Sequence, residues 1–260
     1  MEEWRLIIDG PESGTFNMAA DESLLSVVSK AQEKPTLRLY SWREPSITIG
    51  YSQDASFFNG SEVPVIRRLT GGRAVLHFDE LTYSITCPAG TSLFDQGIHD
   101  VYRLVGKCLK GALDSAGLEC YPARSQQSAG GNKKASCFHA PNRYELLCDG
   151  KKVTGSAQRR FKDSFIQHGS VMLSVNEEMF MRVFPGASTD KIGAVSSYCS
   201  VGFDELSKLL IDSFKTHLGA SFEHTGYEKE ERSLIEQLIK SKYSNDIWNL
   251  HGKSMGVEAA

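Results

Sequence analysis

Arg67-Arg68-Leu69-Thr70-Gly71-Gly72-Arg73-Ala74-Val75-Leu76-His77 joins two arginines, a Gly-Gly pair and a return into apolar residues. Val63 to Ile66 reads as the end of one strand and Ala74 to Phe78 as the next. The glycines between them allow positive φ or a close approach of backbone to a ligand. Arginines beside such a turn can hold an anion through planar, multidentate hydrogen bonds. A plain glycine hairpin with incidental charge accounts for the same run, so its meaning depends on the rest of the chain.

Upstream, Asn17 to Gln32 reads as a helix with Asn17 as N-cap and Met18, Leu24, Leu25 and Val28 facing inward; Lys34-Pro35 stops it. Leu37 to Trp42 and Ser46 to Tyr51 read as strands joined by a turn at Glu44-Pro45. Downstream, Leu81 to Thr86 alternates with period two, and Val101 to Leu113 carries apolar residues at helical spacing before a stop at Gly117. Asp149-Gly150 marks a hairpin between Tyr144–Cys148 and Lys152–Ala157, and Phe165 to Val175 is a further strand. Helices follow from Ser200 to His217 and from about Glu228 to Lys242. Strands come in neighbouring runs more than in alternation with helices, so the expected class is α+β.

Composition narrows the function. The chain has 260 residues, 40% of them apolar, and a formal net charge of −3. That suits one large domain with a full core and gives no general field for nucleic acid or membranes. The opening Met1-Glu2-Glu3-Trp4-Arg5-Leu6 is acidic, with no apolar leader, and no apolar run approaches the ~20 residues needed to cross a bilayer. A cytoplasmic location is the expectation. The six cysteines contain no Cys-x-x-Cys, so neither a disulfide framework nor a metal site is expected, and each reads by default as a small buried apolar residue. Cys108, on the apolar face of its helix, fits that default well.

Common nucleotide-binding and hydrolase motifs are absent. Two further segments can carry chemistry. Asp149-Gly150-Lys151-Lys152-Val153-Thr154-Gly155-Ser156-Ala157 sends two lysines out of a tight hairpin into small residues that admit a ligand against backbone. The lysines can equally be a solvated strand edge. Ser136-Cys137-Phe138-His139-Ala140-Pro141 follows the glycine-rich stretch Gln126 to Ser136, and Lys133, Lys134 and His139 nearby favour a thiolate. For a lone cysteine, a structural role is the competing reading.

Together these segments resemble the catalytic domain of the lipoate–biotin protein ligase family. Asn17-Met18-Ala19-Ala20-Asp21-Glu22 resembles its first helix, Pro35 to Trp42 with Ile49 to Gln53 its first hairpin, and Gln167-His168-Gly169-Ser170 the strand after its lysine motif. The likeness runs from about residue 4 to 250; biotin ligases are less similar, because their biotin loop is not matched by Arg67 to Ala74. It implies an α+β fold with a mixed, largely antiparallel sheet flanked by helices. A catalytic domain over 1–200 would be followed by a helical C-terminal segment, 201–260, packed on the same domain.

The resemblance also implies roles. Lys152 takes the position of the family's functional amine, leaving Lys151 as a solvent-facing neighbour. Arg68, Gly71, Gly72, Arg73, His77, Gly155, Ser156 and His168 become candidate substrate contacts. Cys137-Phe138-His139-Ala140-Pro141 is similar to the Cys-Phe-x-Ala-Pro context of one octanoyltransferase class, although His139 departs from the acidic residue associated with the middle position. The implied reaction moves an octanoyl group from acyl carrier protein, through a thioester on Cys137, to a lysine of a lipoyl domain. The acceptor would be glycine cleavage H protein or a 2-oxoacid dehydrogenase E2. No cofactor is expected. An ATP-dependent lipoate–protein ligase, which would use ATP and Mg, is the first alternative; a non-catalytic lipoyl-domain or acyl-binding protein is the second.

Overall fold

The computed structural model describes residues 1–31, 34–123 and 144–252. In chain order the elements are β1 (Glu2–Glu12), α1 (Gly14–Ala31), β2 (Thr36–Trp42), β3 (Ser46–Ile49), β4 (Val65–Arg67), β5 (Val75–His77), β6 (Glu80–Pro88) and α2 (Ile98–Ser115). There follow β7 (Tyr121–Pro122), β8 (Leu146–Cys148), β9 (Lys151–Lys152), β10 (Thr154–Arg160), β11 (Ser164–Met172), α3 (Glu177–Val183), α4 (Phe203–Leu218), β12 (Ala220–His224), α5 (Lys229–Leu238) and α6 (Asp246–Asn249).

Six strands form the main sheet in the order β10-β11-β6-β2-β1-β12. β1 runs parallel to β2 and β12, and the other pairings are antiparallel. The sheet is therefore mixed and largely antiparallel, as expected for the α+β class. One face carries Leu37, Leu39, Leu81, Tyr83 and Ile85 and packs against α2 and α4. α2 offers the stripe Val101, Val105, Cys108, Leu109, Ala112 and Leu113, and burying each larger member contributes about 1.5–3 kcal/mol. The opposite face meets α1 and α5, with Met18, Ala19, Leu25, Ile235 and Leu238 in a second cluster.

β6 explains why its period-two alternation matters. Every residue from Glu80 to Pro88 is buried. Its apolar set faces α2 and α4, so Glu80, Thr82, Ser84 and Thr86 are buried on the other side. Buried polar side chains are costly unless they find partners, and this face contains the pocket.

Several expectations change. The N-cap of α1 is Ser13, whose Oγ accepts from Phe16 N at 3.2 Å; Asn17 lies inside the helix, where its side chain donates to Ser41 O and accepts from Arg38. The strands read as a hairpin around Glu44-Pro45 separate: β2 enters the main sheet, and β3 becomes the centre of a three-stranded sheet ordered β4-β3-β5. The Gly-Gly run is consequently no hairpin, because β3 lies between its flanking strands. The segment 201–260 is not wholly helical: Ala220–His224 is a strand beside β1, and β1 itself was not apparent from sequence. Cys120 and Cys148 are not isolated apolar side chains either. They are joined by a disulfide with Cα atoms 4.6 Å apart, because the pairing of Tyr121 with Leu147 sets them opposite each other. No helix among the described residues is long and apolar enough to cross a membrane.

Candidate active site

The polar face of the main sheet, α1 and the small sheet enclose a pocket of about 570 Å³, open solvent at its mouth included. Met18, Tyr40, Trp42, Val75 and Ala157 supply much of the apolar wall, while Arg68, His77, Lys152, Ser156, His168 and Ser170 bring polar atoms to it.

The Gly-Gly loop forms one rim. Arg68 is buried and directs its guanidinium at Thr48 O, Thr70 Oγ1, Gly71 O and Arg73 O. It braces the loop from within. Gly72 takes φ +98°, and a side chain on Gly50 would meet Gly72 O at 2.1 Å; the loop crosses the end of β3 at van der Waals limit. Arg67, which could have held an anion, has its guanidinium engaged by protein. It donates to the carbonyls of Gly50, Tyr51, Gln53, Trp248 and Leu250.

Two histidines are each fixed at both nitrogens. His77 contacts Glu80 Oε1 through Nδ1 at 2.8 Å and Thr48 Oγ1 through Nε2 at 2.7 Å, and stacks on Trp42 at 3.9 Å. His168 contacts Asp21 Oδ2 through Nδ1 at 3.1 Å and Thr70 Oγ1 through Nε2 at 2.6 Å. Arg38, fully buried over the Tyr40 ring, donates to Asp21 Oδ1 and Asp9 Oδ2. A continuous chain thus links α1, β2 and β11 to the Gly-Gly loop. Sequence reasoning missed Asp21, Arg38, Thr70 and Glu80: Asp21 and Thr70 meet His168 across 147 and 98 positions, whereas Glu80 meets His77 only three residues before it.

Burial pushes His168 below its ordinary 6.5, and Arg68 and His77 add to that against the opposing pull of Asp21. Burial alone would raise Asp21, but its hydrogen bond and charge interactions with His168 and Arg38 hold its carboxyl below the ordinary 3.8. Neutral His168 therefore donates from Nδ1 to Asp21 and accepts from Thr70 at Nε2, an assignment made from the network. Below 6.5 the unfolded chain takes up the histidine proton before the folded one does, so stability falls as pH falls; Asp21 adds a second loss below 3.8. His168→Gln should destabilise the protein at pH 7.5 by about 1–3 kcal/mol. It should also lose less than the native chain between pH 7.5 and 5.5 in denaturant titrations. Parallel losses would remove His168 from the acid sensitivity.

The Asp149-Gly150 turn sends the chain back at φ +48° and +76°, positive values that suit a two-residue hairpin. Strand alternation then turns Lys151 to solvent and Lys152 inward. Lys152 is 1% exposed and lines the pocket. Its Nζ lies 2.8 Å from Glu145 Oε2.

Of the residues singled out from sequence, Arg68, Gly72, His77, Lys152, Gly155, Ser156 and His168 line this pocket. Gly71 and Arg73 are not among its lining; both present carbonyls to Arg68. Cys137 and His139, with the stretch Gln126 to Ser136, lie outside the described residues. Among the described residues Cys87 and Cys108 are buried free thiols, each pushed up to about 12 by burial, which suits packing and not attack. No described group of three or more His, Cys, Asp or Glu is placed to hold a metal ion.

Fold and pocket define an α+β catalytic domain of the protein-ligase class, with apolar walls, a glycine rim and one buried ammonium. The chain belongs to the family of the lipoyl protein ligase A/B catalytic domain, which it matches over residues 13–223. It is 35% identical over 268 residues to Octanoyltransferase LipM of Exiguobacterium sp. (strain ATCC BAA-1283 / AT1b), covering 94% of this chain and 97% of that one. It is also 35% identical over 276 residues to Octanoyltransferase LipM of Kyrpidia tusciae, covering 96% and 99%. Among solved structures, a putative lipoate protein ligase from T. acidophilum with bound lipoic acid superposes with a TM-score of 0.79 at 25% identity, covering 96% of this chain and 100% of that one.

Proposed function

We propose that this protein is an octanoyltransferase of protein lipoylation. The observation that carries the reading is the buried Lys152 ammonium in an apolar-walled pocket, in a chain similar along nearly its whole length to octanoyltransferases. Met18, Trp42, Val75 and Ala157 offer walls for an alkyl chain, and Gly72 and Gly155 let backbone approach it. Lys152 donates to the acyl carbonyl and stabilises its developing negative charge.

The donor is octanoyl-acyl carrier protein. The thiolate of Cys137 attacks the thioester carbonyl, a new carbon–sulfur bond forms, and the carrier thiol leaves. The ε-amine of a lipoyl-domain lysine then attacks the enzyme thioester, the Cys137 sulfur leaves, and the amine proton passes to solvent. Two chemically simple steps replace one three-body alignment. Glycine cleavage H protein and 2-oxoacid dehydrogenase E2 domains are the acceptors to try. The cytoplasm is the proposed compartment.

The test is intact-protein mass spectrometry after mixing with octanoyl-acyl carrier protein. One octanoyl addition without ATP, removed by hydroxylamine, is the expected result. An acyl transfer that requires ATP and Mg would make the protein a lipoate ligase instead. Binding without transfer would make it an acyl-binding protein.

The Gly-Gly rim gives a further prediction. Gly72→Val places a β-branched residue at φ +98° with its Cβ 2.8 Å from Arg68 Nη2, a strained conformation costing about 1–3 kcal/mol. The displaced rim should impair transfer of dodecanoyl and octanoyl groups more than butanoyl, compared by rate in protein shown to be folded by circular dichroism. Equal rates with all three chains would reduce the loop to a turn.

A further inference from the structure

A primary amine beside an activated acyl group is itself an acceptor. Were Lys152 Nζ to attack an octanoyl thioester, a carbon–nitrogen bond would form, the carbon–sulfur bond would break and the amine proton would go to the departing thiolate. The product would be a stable amide filling the pocket. An enzyme of the proposed kind must hold Lys152 close to the carbonyl and still keep it from reacting.

Glu145 is built to do this. Its Oε2 lies 2.8 Å from Lys152 Nζ, with the two side chains 3% and 1% exposed. Both backbones are fixed. Tyr144 takes φ +80° just before it, an uncommon value for a residue with a side chain. Ala123 N donates to Glu145 O, and Leu146 N donates to Thr154 Oγ1. Lys152 N donates to Lys191 O, and Lys152 O accepts from Gly193 N. The carboxylate and the ammonium therefore meet between hydrogen-bonded segments, with both side chains buried. A charge-assisted bond of this kind is short and strong, and an ammonium held in it has no lone pair to attack with.

We propose that Glu145 is a positioning residue that holds Lys152 Nζ in a charge-assisted hydrogen bond, so that it donates to the acyl carbonyl and is not acylated. The proposal rests on the reading of Lys152 as the group that holds that carbonyl. It makes Glu145 a guard against self-acylation, the side reaction that lysine in this pocket invites.

The test uses the full chain carrying Cys137→Ala, so that no enzyme thioester is needed, with S-octanoyl-N-acetylcysteamine as the acyl probe. Peptide mapping after hydroxylamine reads amide-linked octanoyl at Lys152, with exposed Lys151 as internal reference. Glu145→Gln and Glu145→Met should each raise the Lys152 to Lys151 ratio at least tenfold. Glu145→Asp, which keeps the charge, should stay near the parent ratio. An unchanged ratio in the neutral variants overturns the proposal. So does an equal rise in Glu145→Asp, which would assign the effect to packing, or loss of fold in both neutral variants, which would assign the pair to stability. Failure of the carbonyl-holding reading is seen separately, as normal transfer by Lys152→Ala.

Discussion

Cys137→Ala protein mixed with octanoyl-acyl carrier protein should gain no mass, and its transfer rate should fall by on the order of 10⁴ or more, the scale on which loss of a nucleophile is felt. Among the described cysteines, Cys199 alone is a free thiol with partial exposure. Cys87 and Cys108 are buried, with thiols pushed up to about 12, and Cys120 and Cys148 are bonded to each other. A thiolate, not a thiol, is the attacking species. Folding of the variant should be unchanged by circular dichroism. Undiminished labelling, or labelling that moves to Cys199, would overturn the assignment of the nucleophile.

Lys152→Ala should reduce transfer by roughly 10²–10³, the effect of losing one donor to a developing oxyanion. Lys151→Ala should be nearly silent, because Lys151 is exposed one residue away and surface changes are usually within ~0.5 kcal/mol. The comparison controls for the hairpin, since both substitutions sit on the same two-residue strand. Lys152→Ala also leaves Glu145 without this ammonium in a dry site, so some loss of thermal stability should accompany it. Transfer rates on folded protein separate the two effects. Equal losses from both lysines would show that the hairpin's facing had been misread.

What was legible in sequence follows from how local the cause is. The Asp149-Gly150 turn requires positive φ at both residues, and the alternation after it separates Lys152 from Lys151 without reference to any distant residue. β6 announced itself by its period, though not that its polar side would be as buried as its apolar one. β1 was hidden by Gly10-Pro11 and by acidic residues at both ends. The order β4-β3-β5 is a long-range pairing with no local signature, and it changed the Gly-Gly run from a hairpin into a crossing over Gly50. Glu145 had no motif around it; its meaning comes from Lys152 across a turn. Cys120 and Cys148 could be matched only once the short β7 had been placed against β8.

Arg67 bears on how the protein is made. Its guanidinium closes onto carbonyls that lie 181 and 183 residues later in the chain, and Trp248 Nε1 donates back to Arg67 O. At ~5–20 residues per second on the ribosome, the strand leading into the Gly-Gly loop waits roughly 9–36 s for those partners to be synthesised. Until then its buried charge has only the Gly50 to Gln53 carbonyls. The nascent chain thus cannot finish its pocket rim early, and a ribosome stalled before residue 248 would leave the rim unclamped.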